Sequence, residues 1–256
     1  MSDRPSPAQP PADTDTANPE PVAPMAPVLA LDDPRTLQIL STEHWSLLGA
    51  RSLAYNEAFV RGGMFLTFLS MSFVALALLA QGMSFGDEFL AVAAVLLAFD
   101  LVVGLTTYAR IIGANYDDLR AVHGMARIRH AYAEIAPIAA PYFTTPTHDD
   151  ARSVLSTYGA IPDTRAGSIF YGFTTSGGMI GLITAMVGGV MVSALALLAG
   201  LTGVLAVWVG IAGGIVMLIL LVVFTFGSVP RQQASLSAAF PAPDRRQDGD
   251  GEMDAG

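Results

Sequence analysis

The chain has no cysteine and no lysine. The first absence excludes disulfides, iron–sulfur clusters and thiol catalysis. The second leaves arginine alone to balance the acids: 13 basic residues, all Arg, stand against 22 Asp and Glu, for a net charge of −9. No Arg cluster is dense enough to neutralise a run of phosphates, so nucleic acid is not an expected partner. Arg without Lys reads as the mark of a GC-rich genome rather than of chemistry. Charge of either sign is scarce, at 14% of residues against 52% hydrophobic. That balance suits a membrane protein better than a soluble enzyme.

The apolar residues are gathered into four stretches, at about 62–82, 89–110, 177–199 and 203–227. Crossing about 30 Å of hydrocarbon takes about 20 helical residues, and each stretch is long enough. The first lies too far from the N-terminus, and is too long, for the core of a signal peptide. Four Arg precede the first stretch, six lie between the second and third, and three follow the fourth. The short connections around Gly82–Glu88 and Gly200–Thr202 hold none. By the positive-inside rule both termini and the central segment are expected in the cytoplasm, with the two short turns outside.

The expected fold is an all-α membrane protein with four transmembrane helices paired as two hairpins. Residues 1–35 read as a disordered Pro/Ala/Asp-rich cytoplasmic tail, since nine of the 16 prolines fall there without apolar periodicity. Residues 36–61 read as an amphipathic juxtamembrane helix. Asp32 or Asp33, with Pro34, are its start signals, and Trp45, Leu48, Tyr55 and Phe59 recur on one face. That face is expected to lie on lipid or against the stripe Leu119, Val122 and Met125. Residues 62–110 are the first hairpin and 111–175 a cytoplasmic helical module. There the second span runs on as one long helix until Pro137 and Pro141 stop it. A short helical run is expected near Asp149–Tyr158. Residues 176–228 are the second hairpin, and 229–256 a disordered acidic tail.

Asp100 is the one ionisable residue deep in a span. An unpaired carboxylate at the midplane costs at least about 2.5–3.5 kcal/mol, so it must be protonated, paired or hydrogen-bonded. The first span crosses in the opposite sense with its midpoint near Met71. This sets Thr67, Ser70 and Ser72 at the depth of Asp100 as its partners. One reading is a proton or cation site, the other a structural carboxyl bonded to a hydroxyl. Gly177 and Gly181, and again Gly210 and Gly214, form GxxxG pairs that let helix backbones approach closely, within this chain or between copies. Asp117 and Asp118 read as a solvated face, and Asp149 and Asp150 as a helix start. The four histidines, His44, His123, His130 and His148, show neither HxxxH nor HExxH spacing, so no metal site is expected. No catalytic residue and no cofactor is indicated.

The runs Glu43-His44-Trp45-Ser46-Leu47-Leu48, Arg51-Ser52-Leu53, Asn56-Glu57, Phe59, Arg61, then Arg127-Ile128-Arg129-His130-Ala131-Tyr132 and His148-Asp149-Asp150, resemble a group of uncharacterised multi-span integral membrane proteins of GC-rich actinobacteria. The resemblance covers about 36–160 and the last hairpin only in hydropathy. It implies a bacterial inner membrane and no particular activity. In architecture alone the chain is also similar to two-span SLATT-type effectors, which likewise have a juxtamembrane helix, a tight hairpin and a cytoplasmic helix. This chain departs from them in its second hairpin. The reading that follows is a non-enzymatic scaffold, sensor or assembly partner in the lipid bilayer, self-associating or joined to other membrane proteins. The alternative is a small ion channel, pore-forming effector or transporter that uses Asp100.

Overall fold

In the computed structural model, residues 30–83, 85–159, 175–233 and 237–243 are described. The tail expected at 1–35 therefore lies almost wholly outside the described residues. All regular structure among the described residues is helical. Four helices are long and apolar enough to cross a membrane.

Helix α1 spans Pro34–Gly82. Asp33 caps it by accepting the Arg35 N–H at 2.7 Å, and Pro34 supplies a preset φ where no donor is needed. Nothing interrupts it afterwards, so the segment expected as a separate juxtamembrane helix and the first span are one helix of 49 residues. At 1.5 Å per residue it is about 73 Å long, more than twice the hydrocarbon thickness. Helix α2, Asp87–Ile135, has the same length. Asp87 and Glu88 sit in its first turn, where negative charge suits the helix dipole. It ends before Pro137, which opens a 3-10 turn, Pro137–Tyr142. The short α3, Ala151–Ser156, is capped by Asp150, whose carboxylate accepts both the N–H and the hydroxyl of Ser153.

Helix α4, Ser176–Leu198, and helix α5, Gly203–Gln233, complete the fold. The connection between them is a tight turn. Gly200 takes φ +84°, its N–H reaches Leu197 O at 2.9 Å, and Leu201 N–H reaches Ala196 O at 3.1 Å. Together these bonds satisfy two carbonyls that the helix end would leave bare, and only glycine adopts that φ without strain.

Helix α2 lies between α1 and α4, and α4 lies between α2 and α5. The apolar core follows this order: Phe65 and Leu69 from α1, Leu97, Leu101 and Tyr108 from α2, Ile180 and Val187 from α4, and Leu221 from α5. A second, smaller core joins Val122 and Met125 of α2 to Val154 of α3, with Leu47 of α1 packed on it.

Two expectations are corrected here. The face of α1 that meets α2 is not centred on Trp45, although Tyr55, at the edge of that face, reaches Asp118 of α2. Leu47 makes the contact with the Val122–Met125 stripe, while Trp45 is 68% and Phe59 82% exposed. Large apolar residues were the wrong guide, because Leu47 seats against bare Gly124, where a Cβ would come within 2.8 Å of Leu47 Cδ1. The second correction concerns the tail expected to be free over 229–256. Helix α5 runs on to Gln233, and residues 237–243 are bound against the C-terminal half of α2, as described next.

Candidate functional site: three buried carboxylates

Among the described residues three aspartates are almost completely buried: Asp100, Asp118 and Asp149, at 0, 2 and 1% exposure. Only the first was singled out from sequence.

Asp100 faces α1. The Ser72 hydroxyl donates to its Oδ1 at 3.0 Å, and Oδ2 is buried without a hydrogen-bond partner among the described residues. Thr67 and Ser70, the other expected partners, do not reach it. Their hydroxyls donate back to Gly63 O and Leu66 O, one turn earlier on the same helix, and both side chains are on the exposed side of α1. Ser72 differs because it alone of the three shares the α1 face of Phe65 and Leu69. Below Asp100 the helices come close: a Cβ at Gly104 would meet Thr184 Oγ1 at 2.7 Å and the Phe65 ring at 3.1 Å.

Asp118, expected on a solvated face, is a junction of three segments. Its Oδ1 accepts Arg51 Nε at 2.6 Å, and its Oδ2 accepts the hydroxyls of Tyr55 at 2.9 Å and Tyr158 at 2.6 Å. Hydrogen bonds to a charged group contribute about 1.5–3 kcal/mol each. Burial, and then the neighbouring Asp118 carboxylate, push the Tyr158 hydroxyl well above the ordinary phenol range. Tyr158 is therefore a donor throughout the physiological range. Closer to the membrane the same two helices are joined again. Glu57 of α1 accepts Nε and a terminal nitrogen of Arg110 from α2, at 3.0 and 2.7 Å, and also Arg61 Nε at 3.0 Å. Arg110 first, then Arg61, hold the Glu57 carboxyl down at about 2.

Asp149 holds the C-terminal segment. Its two oxygens accept the successive backbone N–H groups of Ala239 and Phe240, both at 2.8 Å, and Arg127 Nε at 2.7 Å. Its own N–H donates to Phe240 O at 3.2 Å. Arg127 reaches on to Ser237 O at 2.6 Å, Asp150 accepts Ala242 N–H at 3.2 Å, and the Phe240 ring stacks on His130 at 4.2 Å between centroids. Burial pushes the Asp149 carboxyl up, but the Ala239, Arg127 and Phe240 donors together outweigh it and hold the group at about 2. His123, 3.5 Å away, is pushed below its ordinary value by burial and by Arg127.

Both shifts weaken the clamp in acid. A carboxyl depressed in the bound state stabilises it above the free value of about 4, and loses that as pH falls through about 2. A depressed histidine stabilises the bound state above about 6.5 and begins to lose that contribution below it. The segment should therefore loosen in two steps as pH falls. Relative to the intrinsic exchange rate at each pH, backbone-amide exchange at 237–243 is expected to accelerate below about pH 6.5, and again below about pH 4. Phe240→Ala should accelerate it at every pH, and exchange that is fast and unchanged in all cases would defeat the clamp.

The glycine pairs split between two jobs. Gly177 and Gly181 face α2, where added Cβ atoms would meet Ile112 at 3.3 Å and the Tyr108 ring at 2.8 Å. Gly210 and Gly214 face α4, against Gly189 O and Ala185 O, at 2.8 and 3.2 Å from a Cβ. Both pairs thus serve packing inside the chain. The complementary row on α4 is Ala185, Gly189 and Ser193, small residues repeated every four positions. Beside it an apolar groove of about 670 Å³ lies between the helices, lined by residues such as Phe73, Phe89, Leu97, Met186 and Ile211. Among the described residues no three His, Asp or Glu side chains converge as a metal ion would require. Family models, curated proteins and solved structures gave no match to this chain.

Proposed function

We propose that this chain is a membrane-anchored scaffold of the bacterial inner membrane, with four spans as two hairpins and both termini cytoplasmic. It would carry a helical cytoplasmic module to which partners assemble. The observation that supports this best is the use made of Asp118 and Asp149. Each buried carboxylate is engaged by donors from segments distant in sequence, Arg51, Tyr55 and Tyr158 for one, and Arg127, Ala239 and Phe240 for the other. Acid–base chemistry needs a group with spare hydrogen-bonding capacity near a reacting atom. These groups instead hold a stalk and its module in one shape, as a scaffold requires.

The orientation follows from the Arg distribution and has a direct test. The chain lacks cysteine, so single cysteines can be introduced freely. Asp87→Cys should react with an impermeant maleimide in intact cells, and Asp117→Cys, exposed on α2, should react only after the cells are opened. The opposite pattern would turn the scaffold's module outward.

A second reading, a proton or cation pathway, is favoured by one feature: the unpartnered Oδ2 of Asp100. Against it, no other Asp, Glu, Arg or His lies deep in a span, and pumps and carriers usually chain several such groups. The neighbouring groove is lined almost wholly by apolar side chains, which suits acyl chains rather than ions. On the scaffold reading Asp100→Asn keeps the acceptor for Ser72 and should leave folding and flux unchanged. Asp100→Leu strands the Ser72 hydroxyl and should cost about 0.6 kcal/mol. A proton flux in proteoliposomes that wild type supports and Asp100→Asn abolishes would establish the pathway instead.

A further inference from the structure

Helix α1 turns one side to α2 and leaves the other bare along its whole length. On the bare side Trp45, Leu48, Ser52 and Phe59 recur at helical spacing, and Gly63, Thr67 and Ser70 continue the stripe into the first span. All of them are exposed. No charged residue falls on the stripe between Ser41 and Ala77.

The order of residues along this stripe is the reverse of what lipid and water would select. Trp45 lies 16 positions before Arg61, so it stands about 24 Å beyond the membrane boundary that the Glu57–Arg61–Arg110 cluster marks. There, in water, the stripe is aromatic and aliphatic. In the first half of the span, where large apolar side chains would suit lipid, it becomes glycine and hydroxyl at Gly63, Thr67 and Ser70, before Val74 resumes the apolar pattern. Small and hydroxyl residues in a span favour close approach of another helix. Exposed aromatics outside it mark a protein contact. One occupant satisfies both zones only if its own helix runs unbroken from the bilayer into the cytoplasm.

We propose that the occupant is α1 of a second copy of this chain, parallel to the first about a two-fold axis along the membrane normal. Two copies inserted in the same sense are necessarily parallel. A two-fold axis then sets each zone against itself, Trp45 region on Trp45 region and Gly63–Ser70 on Gly63–Ser70. With no charge on the stripe, self-apposition brings no like charges together. The area is also sufficient. The stripe from Ser41 to Ala77 is about 55 Å long, and a helix face about 10 Å wide then buries roughly 1,100 Å² over both copies, above the roughly 1,000 Å² that a specific interface needs. The Thr67 and Ser70 hydroxyls, now bonded to carbonyls of their own helix, can share those bonds across the contact.

The test uses the full chain in native membranes. Ser52→Cys and Gly63→Cys lie on the stripe, and nothing within 4 Å would meet a side chain at Gly63. Ala50→Cys is exposed but lies off it. Mild oxidation should convert most of the first two to a species of twice the chain mass and leave the third monomeric. In lipid nanodiscs wild type should have the mass of two chains and Ser52→Glu the mass of one, with unchanged helix content. Equal crosslinking at Ala50→Cys, or a monomeric wild type, would overturn the proposal. So would a crosslinked band of any mass other than two chains, because a different protein would then occupy the stripe.

Discussion

Replacing Arg51 by Met should destabilise the part of the protein outside the spans by about 3 kcal/mol, because it leaves the Asp118 carboxylate buried without its cation. Removing one partner of a buried ion pair typically costs about 3–5 kcal/mol. The lower end applies because the Arg51 side chain is itself about a quarter exposed and the two tyrosine hydroxyls remain. The loss should be local. Amide exchange should accelerate in α1 over 34–56 and around Tyr158, while the spans keep their protection. Arg61→Met is the matched control. Its pair with Glu57 is exposed, and Arg110 continues to hold that carboxylate, so the change should be under about 0.5 kcal/mol. Arg51→Met combined with Asp118→Leu should recover most of the loss, since apolar replacement of a whole buried pair is often neutral. Equal exchange rates in the Arg51 and Arg61 variants would show that the junction contributes nothing.

Gly189→Leu should prevent α4 and α5 from pairing. A Cβ there lies 2.8 Å from the carbonyl oxygen of Gly210 and 3.2 Å from the Gly214 Cα. Both are backbone atoms, so no side chain can swing aside to make room, and the two helices must separate. Overpacking against side chains alone typically costs about 1–3 kcal/mol. Against backbone the upper end is the expected minimum, and little monodisperse protein should be recovered in mild detergent. Gly177→Ala tests the same idea in the opposite direction. Its nearest neighbour is the Ile112 Cδ1 at 3.3 Å, the end of a flexible side chain, so recovery should stay near that of wild type. Comparable yields for Gly189→Leu and wild type would mean that this backbone contact does not hold the pair together.

What could be read in the sequence was what is local. The span lengths, the Asp33–Pro34 start of α1, the stop at Pro137 and the Asp150 cap of α3 each depend on a few adjacent residues. The partners of the buried acids do not. Tyr158 reaches Asp118 across 40 positions, and the 237–243 segment reaches Asp149 across about 90. An Asp-Asp pair in a polar stretch looks like a solvated face until a distant strand of chain covers it. The Trp45 face misled for another reason. Amphipathic patterning assumes that large apolar residues point inward, whereas over residues 36–61 α1 turns Leu47 and Ala58 toward α2 and leaves Trp45 and Phe59 outside. Asp100 was legible because a carboxylate in hydrocarbon is conspicuous at any depth. Which hydroxyl serves it was not, since Thr67, Ser70 and Ser72 differ only in azimuth.

That azimuth has a mechanical side. Asp100 and Asp118 are 18 positions apart on one uninterrupted helix, which is about five full turns and roughly 27 Å. They project at the same angle, and both are held by α1, through Ser72 and through Arg51 with Tyr55. Two bolts in line on a stiff rod resist torsion jointly. A twist of α2 about its axis at the C-terminal end would be opposed by the Arg51 contact and by the Ser72 contact within the spans. The tail clamp sits on that same rod, about one and a half to two and a half turns beyond Asp118, at His123 and Arg127. The tail clamp and the Asp100 carboxyl thus share one uninterrupted helix, whose rotation is fixed against α1 at both Asp118 and Asp100.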